Sequence, residues 1–208
     1  MYVKNRMTAN PYTIQFNSSI QDVIELMQEK NLKRVPVVDG EKVVGMLTQS
    51  DLQKVSPTKA TTLSIFELNY LLSKAKISDA MTRDVVTIEP EALLEEAAVL
   101  MRESKVSALA VVKGEKLVGI ITESDIFDAF IDLLGFRDVG SRITVQAADV
   151  PGNLSVITGI FKSVDANITH IAVYRGSGGD SDVVIRSNTN NTDIIEKKLE
   201  EHGFKILS

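Results

Sequence analysis

The chain has no cysteine, which excludes a disulfide framework, a thiol nucleophile and a cysteine-ligated zinc. Aromatic residues fill only 5% of its 208 positions, and the formal net charge is −5 with a pI near 5.2. Neither a basic surface nor an aromatic-rich one is present, so a nucleic-acid partner is not expected. No apolar run approaches the roughly 18 to 20 residues that span a bilayer. Met1 to Arg6 leads into polar sequence rather than into a signal-peptide core, so the expectation is a cytoplasmic protein without a membrane partner. The two histidines, His170 and His202, lie far apart with no carboxylate pattern around them. Neither marks a metal or catalytic centre, and no catalytic residue or metal ligand is assigned. What is present, 44% apolar and 25% charged residues, is the composition of a soluble globular chain with room for one or two ordinary domains or three small ones.

One stretch is written twice. Gly45-Met46-Leu47-Thr48-Gln49-Ser50-Asp51 recurs as Gly119-Ile120-Ile121-Thr122-Glu123-Ser124-Asp125. Each copy follows a β-branched apolar run and opens a helical pattern, so a glycine, two hydroxyls and a carboxylate gather at a strand-to-helix turn. That chemistry suits a nucleotide. The glycine lets a ribose approach the backbone, hydroxyls and helix N-terminal N–H groups meet phosphate oxygens, and the carboxylate bridges vicinal ribose hydroxyls. The competing reading is that Thr48, Ser50, Thr122 and Ser124 are N-caps with an acidic first turn.

The repeat extends well beyond the turn, at a constant offset of 74 residues and without a gap. Met7-Thr8 matches Met81-Thr82, Thr13-Ile14 matches Thr87-Ile88, Leu26-Met27 matches Leu100-Met101, and Gly40-Glu41-Lys42 matches Gly114-Glu115-Lys116. Two copies of one unit therefore fill the first two thirds of the chain. In copy one, Tyr12 to Phe16 alternates like a strand, and Ser18-Ser19-Ile20-Gln21 offers a capping box. Ile20, Val23, Ile24 and Met27 then form one helical stripe. Arg34 to Val38 and Lys42 to Leu47 read as a hairpin about Asp39-Gly40. Copy two repeats the order with Val85 to Ile88, a helix with Pro90 near its first turn, Ala108 to Val112, Leu117 to Ile121, and a helix from Ser124 to about Leu134 stopped by Gly135. Between the copies, Leu63 to Lys74 looks helical, with Leu63, Phe66, Tyr70 and Leu71 on a core-facing stripe. After Gly140 come a strand at Arg142 to Ala147, a helix opened by Pro151-Gly152, and a strand at Ile168 to Tyr174. A turn at Gly176-Ser177-Gly178-Gly179-Asp180 leads to a strand at Asp182 to Arg186, a helix at Thr192 to His202 and a strand at Phe204 to Leu207. This βαββαβ order predicts a split-βαβ layer, and the chain as a whole an α+β (mixed α/β) fold.

The doubled unit resembles a pair of CBS motifs, the regulatory Bateman module. The likeness rests on Met7-Thr8 and Met81-Thr82, on Val35-Pro36-Val37-Val38-Asp39 and Val106-Ser107-Ala108-Leu109, and on both Gly-x-x-Thr-x-Ser-Asp turns. Asp149-Val150-Pro151-Gly152-Asn153-Leu154, after the first strand of the last segment, is similar to the loop of an ACT domain. The resemblance divides the chain into motif 1 at 1–56, a linker with helix at 57–75, motif 2 at 76–136 and an ACT-like, ferredoxin-like domain at 140–208. The order CBS–CBS–ACT resembles the acetoin-utilisation regulatory family.

That resemblance implies two nucleotide pockets in the cleft between motifs. One joins Thr122, Ser124 and Asp125 to Thr8, Asn10, Lys33 and Arg34; the other joins Thr48, Ser50 and Asp51 to Thr82, Asp84, Val106, Ser107 and Ala108. Arg34 is suited to fork onto phosphates where its counterpart is Ala108, and Asp84 adds negative charge to the second pocket. The Asp125 pocket is therefore expected to bind more tightly, unless Lys33 and Arg34 are merely solvated strand-end charges. In ACT domains an amino acid often sits at the loop equivalent to Asp149, Gly152 and Asn153; the other reading is that Asp149 and Asn153 cap the helix. The expectation is a non-enzymatic sensor of an adenine nucleotide (AMP, ADP, ATP or a related adenosyl ligand), held as a regulatory ligand rather than a catalytic cofactor. It is expected to be a homodimer that signals through the ACT-like domain or a partner protein. A nucleotide-free dimerisation module, an amino-acid sensor and an enzyme are the competing classes.

Overall fold

The computed structural model describes residues 1–55, 67, 70, 73–176 and 179–208. The helix expected from Leu63 to Lys74 falls mainly outside the described residues, as do Ser177 and Gly178 of the expected turn. The chain divides into two units, Met1–Ile126 and Phe127–Ser208.

The first unit is built on one mixed sheet. Its strands are β1 (Thr8–Ala9), β2 (Ile14–Gln15), β3 (Arg34–Asp39), β4 (Lys42–Thr48), β5 (Thr87–Ile88), β6 (Ala108–Lys113) and β7 (Lys116–Thr122), in the order β2-β3-β4-β7-β6-β5 with β1 added to β7. The two copies meet at the centre, where Lys42 of β4 stands opposite Lys116 of β7. Each hairpin carries the same bulge, at Val37/Val38 and at Val111/Val112, and each turns through a glycine at φ +63°, Gly40 and Gly114, where a side chain would be strained. Around the centre the ion pairs are reciprocal, Lys42 with Glu115 and Lys116 with Glu41. All four side chains are exposed, so these pairs add little stability but mark the pseudo-twofold axis.

The lead-in segments are exchanged between copies. Val3 N–H donates to the Ala92 carbonyl at 2.9 Å and Leu94 N–H to the Met1 carbonyl at 2.9 Å, while at the matching positions Ile20 N–H donates to the Ala75 carbonyl at 3.0 Å. Val3 and its counterpart Ile77 are both fully buried. Ile77 joins a core of Ile20, Val23, Met27, Val35, Val37, Leu47 and Leu52, all otherwise from copy one. Burying a full aliphatic side chain contributes about 1.5–3 kcal/mol, enough to hold each copy to the lead-in segment of the other.

The helices are α1 (Ile20–Glu29), α2 (Gln49–Val55), α3 (Leu94–Ser104) and α4 (Glu123–Leu133). Two expectations about their starts need correction. The capping box of α1 pairs Ser19 with Asp22, not Ser18 with Gln21: Ser19 Oγ accepts from Asp22 N–H at 3.2 Å and Asp22 Oδ2 accepts from Ser19 N–H at 2.8 Å. Helix α3 starts at Leu94 and not near Pro90, because the carbonyls of Pro90 and Ala92 are taken by the exchanged N-terminal segment. Gly135, at φ +61°, stands just past the end of α4 as expected.

The second unit contains β8 (Ser141–Ala148), α5 (Asn153–Ser163), β9 (Ile168–Arg175), β10 (Asp180–Ser187), α6 (Asp193–Glu201) and β11 (Lys205–Ile206). Its sheet has the order β11-β8-β10-β9 with every neighbour antiparallel. This is the split-βαβ arrangement that the element order predicts. Alternate strand residues Ile143, Val145, Ala147, Val183 and Ile185 pack against Ile157, Ile160, Phe161, Ile195 and Leu199 of the two helices. The opposite face of the sheet is turned away from α5 and α6 and is bordered by Leu134 and Phe136, which follow α4. The mixed α+β reading holds for both units.

Candidate functional site

Strands β4 and β7 run directly into α2 and α4, so Thr48 and Thr122 end a strand and Asp51 and Asp125 sit in the first turn of a helix. In both copies threonine and aspartate hold each other. Asp51 Oδ2 accepts from Thr48 Oγ1 at 2.6 Å and Thr48 N–H at 3.1 Å, and Asp51 N–H donates to Thr48 Oγ1 at 3.3 Å. Asp125 Oδ2 accepts from Thr122 Oγ1 at 2.7 Å and Thr122 N–H at 2.8 Å, with Asp125 N–H to Thr122 Oγ1 at 3.4 Å. For the two threonines the capping reading is therefore correct. Ser50 and Ser124 are exposed and their hydroxyls have no hydrogen-bond partner among the described residues, so they are not caps.

The second carboxylate oxygen separates the copies. Asp51 Oδ1 takes the ammonium of Lys54 at 3.1 Å, whereas position 128, the counterpart of Lys54, is aspartate. Oδ1 of Asp125 has no partner among the described residues. Burial pushes the Asp51 carboxyl up, but the hydroxyl and N–H of Thr48 and the ammonium of Lys54 outweigh it, and the group is held below the ordinary carboxylate value.

The start of each copy lies against the strand that feeds the other copy's turn. Thr8 stands opposite Ile120 and Ala9 opposite Gly119, and Asn10 N–H donates to the Val118 carbonyl at 3.1 Å. Met46 and Thr82 exchange two backbone hydrogen bonds of 2.9 Å. Asp84 follows two residues on, exposed. This crossing corrects the reason offered for the glycines. A Cβ on Gly45 would overlap the thioether of Met81, and one on Gly119 would stand 2.5 Å from Met7 Sδ and 3.2 Å from the Thr8 carbonyl oxygen. Gly45 and Gly119 make room for the crossing methionine of the other copy, not for a sugar.

The mid-strand residues meet at the centre. Arg34 stands opposite Thr48, Ala108 opposite Thr122, and one guanidinium nitrogen of Arg34 donates to the carbonyl and the hydroxyl of Ser107. The Ser107 carbonyl also accepts from Glu123 N–H at 3.2 Å, and the Lys33 carbonyl from Gln49 N–H at 3.0 Å. The structure thus brings Arg34 and Ser107, expected in separate pockets, into direct contact beside the Thr122–Asp125 turn. The Lys33 side chain is exposed and Val106 half-buried.

In the second unit, the loop expected to hold an amino acid lines a cavity of about 410 Å³ that includes Asp149, Gly152, Asn153 and Ser181. Neither Asp149 nor Asn153 caps α5. Asp149 pairs with Arg175 at 3.1 Å, and the Asn153 amide donates to the Ala148 carbonyl at 2.8 Å. Ser181 is 4% exposed and its hydroxyl has no hydrogen-bond partner among the described residues. The sequence reading missed Ser181, because only the strand register turns it toward the loop. Among the described residues no group of three or more potential ligands could hold a metal, and no helix is long and apolar enough to cross a membrane.

The chain is similar to several known proteins. The inosine-5'-monophosphate dehydrogenase of Korarchaeum cryptofilum is 29% identical over 197 residues, which is 94% of this chain and 36% of the relative. The chain spans between 22% and 36% of the length of that relative and of three other curated relatives it matches. Among solved structures, a Vibrio cholerae protein provisionally assigned to acetoin utilization (AcuB) superposes with a TM-score of 0.54 at 31% identity, over 66% of this chain and 96% of that one. CBSX2 in complex with AMP gives 0.54 at 28% identity, over 63% and 97%. The CBS domain pair of protein MJ0100, solved with methylthioadenosine and S-adenosyl-L-methionine, gives 0.51 at 27% identity, over 62% and 95%. The model of the CBS domain matches residues 3–57 and again 77–132. Those segments make up more than half of the chain and coincide with the two copies of the duplicated unit, and the protein belongs to the CBS-domain family.

Proposed function

We propose that this protein is a regulatory sensor in which an adenosine-bearing ligand occupies the cleft of the CBS pair, with Asp125 as the residue that takes the ribose. The observation that carries this reading is the Asp125 carboxylate, held rigid by Thr122 through one oxygen and left with the other unused. An orienting contact of this kind pre-pays the entropy of fixing a side chain before a ligand arrives. Thr8, Asn10, Ser124, Lys33 and Arg34 complete this pocket, the cations serving phosphate oxygens. The counterpart pocket of Thr48, Ser50, Asp51, Thr82, Asp84, Val106, Ser107 and Ala108 is the weaker one, because Lys54 already fills Asp51 Oδ1. Solved pairs similar to this one that hold AMP, or methylthioadenosine and S-adenosyl-L-methionine, support an adenosyl ligand. The ligand regulates and is not turned over. Regulation follows only if it binds one arrangement of the chain better than another, since equal affinity shifts nothing.

The second unit, residues 140–208, is read as an ACT domain, and the unpartnered Ser181 hydroxyl in the cavity at Asp149, Gly152 and Asn153 supports a small amino acid there. The assembly is a cytoplasmic homodimer, checked by light scattering at micromolar concentration.

Thermal unfolding with AMP, ADP, ATP, S-adenosylmethionine and dinucleotides tests the nucleotide reading. A ligand at a hundred times its dissociation constant stabilises the fold by about 2.7 kcal/mol. That gain is expected to vanish in Asp125→Ala and to survive in Asp51→Ala. No shift with any of these ligands would leave a dimerisation module, and turnover abolished by Asp125→Ala would make the protein an enzyme.

A further inference from the structure

We infer that the face of the second unit's sheet turned away from α5 and α6 carries a site for a small organic carboxylate, separate from the loop at Asp149. Strand register sets three basic side chains in one row across three adjacent strands: Arg186 of β10 stands opposite Arg142 of β8 on one side and opposite His170 of β9 on the other. Cationic neighbours directly opposite one another are destabilising unless an anion lies between them. Among the described residues no carboxylate pairs with either arginine. Arg142 donates to the Ser208 hydroxyl at 3.0 Å, and Arg186 lies 5.7 Å from the centroid of the Phe136 ring. A guanidinium held against a ring keeps its in-plane N–H donors for another partner.

Arg142 is exposed, whereas Arg186 and His170 are half-buried. The row borders a cavity of about 150 Å³ whose other walls include Leu134, Phe136 and Tyr174. Ala172 and Val184, the next residues along the same face, contribute small apolar surface. His170 is fixed from behind, since a Cβ on Gly135 would stand 2.6 Å from its Cε1 and 2.7 Å from its Cγ. Its Nδ1 is buried, 3.4 Å from Asp138 Oδ2 and out of line for a hydrogen bond. Nε2 is the nitrogen left to a ligand. Asp138 is the acidic group nearest the imidazole, and Asp182 lies on the same face beyond Val184; neither is paired with the arginines. Two guanidinium forks at one end and aromatic and aliphatic walls at the other fit an anionic head with an apolar body. A carboxylate meets both requirements, and bare phosphate meets only the first.

The two histidines make the test direct. In the intact chain, His202 serves as an internal control, because its ring is tied to the Lys198 carbonyl at 2.8 Å at the end of α6. Titration with sodium benzoate, followed by proton–carbon NMR of the imidazoles, should move His170 saturably and leave His202 in place. Arg186→Gln and Arg142→Gln should each weaken binding by at least about tenfold. Lys205→Gln, which changes a cation on the same sheet but outside the cavity, should leave it unchanged. Inorganic phosphate should bind more weakly than benzoate. An unmoved His170, both histidines drifting together with ionic strength, or unaltered affinity in both arginine variants with native-like amide spectra would overturn the site. Phosphate binding as tightly as benzoate would overturn its assignment to carboxylates.

Discussion

The turn at Thr48–Asp51 and the turn at Thr122–Asp125 share their backbone course, their threonine–aspartate lock and the methionine that crosses their glycine, and they differ in one carboxylate oxygen. In the first copy that oxygen is closed by Lys54; in the second it is open, because Asp128 stands in the equivalent place. What duplication has kept is what the fold needs: the lock begins a helix and the glycine lets two chains cross. What has diverged surrounds the cleft, Arg34 against Ala108, Lys33 against Ser107, Asn10 against Asp84 and Lys54 against Asp128. Two equal scaffolds carry unequal side chains.

The largest effect tests whether the scaffolds are equal. Leu47 and Ile121 occupy matching positions, each 0% exposed. Truncating either to alanine should cost about 2–5 kcal/mol, with the two losses alike, as read from urea midpoints of the first unit's transition. A large loss for one and a small loss for the other would break the comparison at its base.

The next tests whether Lys54 makes the difference. Asp128→Lys gives Asp125 the same ammonium three residues along the helix, and the affinity of the adenosyl ligand should fall by about tenfold, which is about 1.4 kcal/mol. Lys54→Ala opens Asp51, and calorimetry should then detect a second binding event, or a tightening of a weak one. If neither exchange alters binding, the open oxygen is irrelevant and the asymmetry must come from Arg34.

Much of this architecture is legible in the residues alone, because the repeat is an identity signal and needs no geometry. The offset that aligns Met7 with Met81 also aligns the bulged hairpins and the locked turns, and alternation along Arg142 to Ala147 and Asp182 to Arg186 suffices for the split-βαβ order. The contacts that join the copies are different in kind. Val3 with Ala92, Met7 with Gly119 and Arg34 with Ser107 are each separated by more than 70 residues, and no local pattern announces them. Local pattern alone therefore suggests a sugar at the glycines and a start of α3 near Pro90. The row of Arg142, Arg186 and His170 is hidden for the same reason, since it exists only once three strands are in register. Lys54 differs from these, because an ammonium three residues after a carboxylate is a local helical pair that the sequence itself carries.

The smallest effect concerns pH. Asp51 titrates below the ordinary carboxylate value in the folded chain, so over the range between its folded and unfolded values the unfolded state binds more protons and stability rises with pH. The contribution is complete above the unfolded value, near about 4, and is lost as pH falls through the folded one. Asp51→Asn removes this term, so its urea midpoint should fall less steeply than the wild type's between about pH 5 and pH 2. Lys54→Ala should recover only part of that change, because Thr48 still donates two hydrogen bonds to the carboxylate while the exposed ammonium is screened by solvent. Parallel acid limbs in all three proteins would mean that the lock on Asp51 is no tighter than water, and the first turn would then be as free to take a ligand as the second.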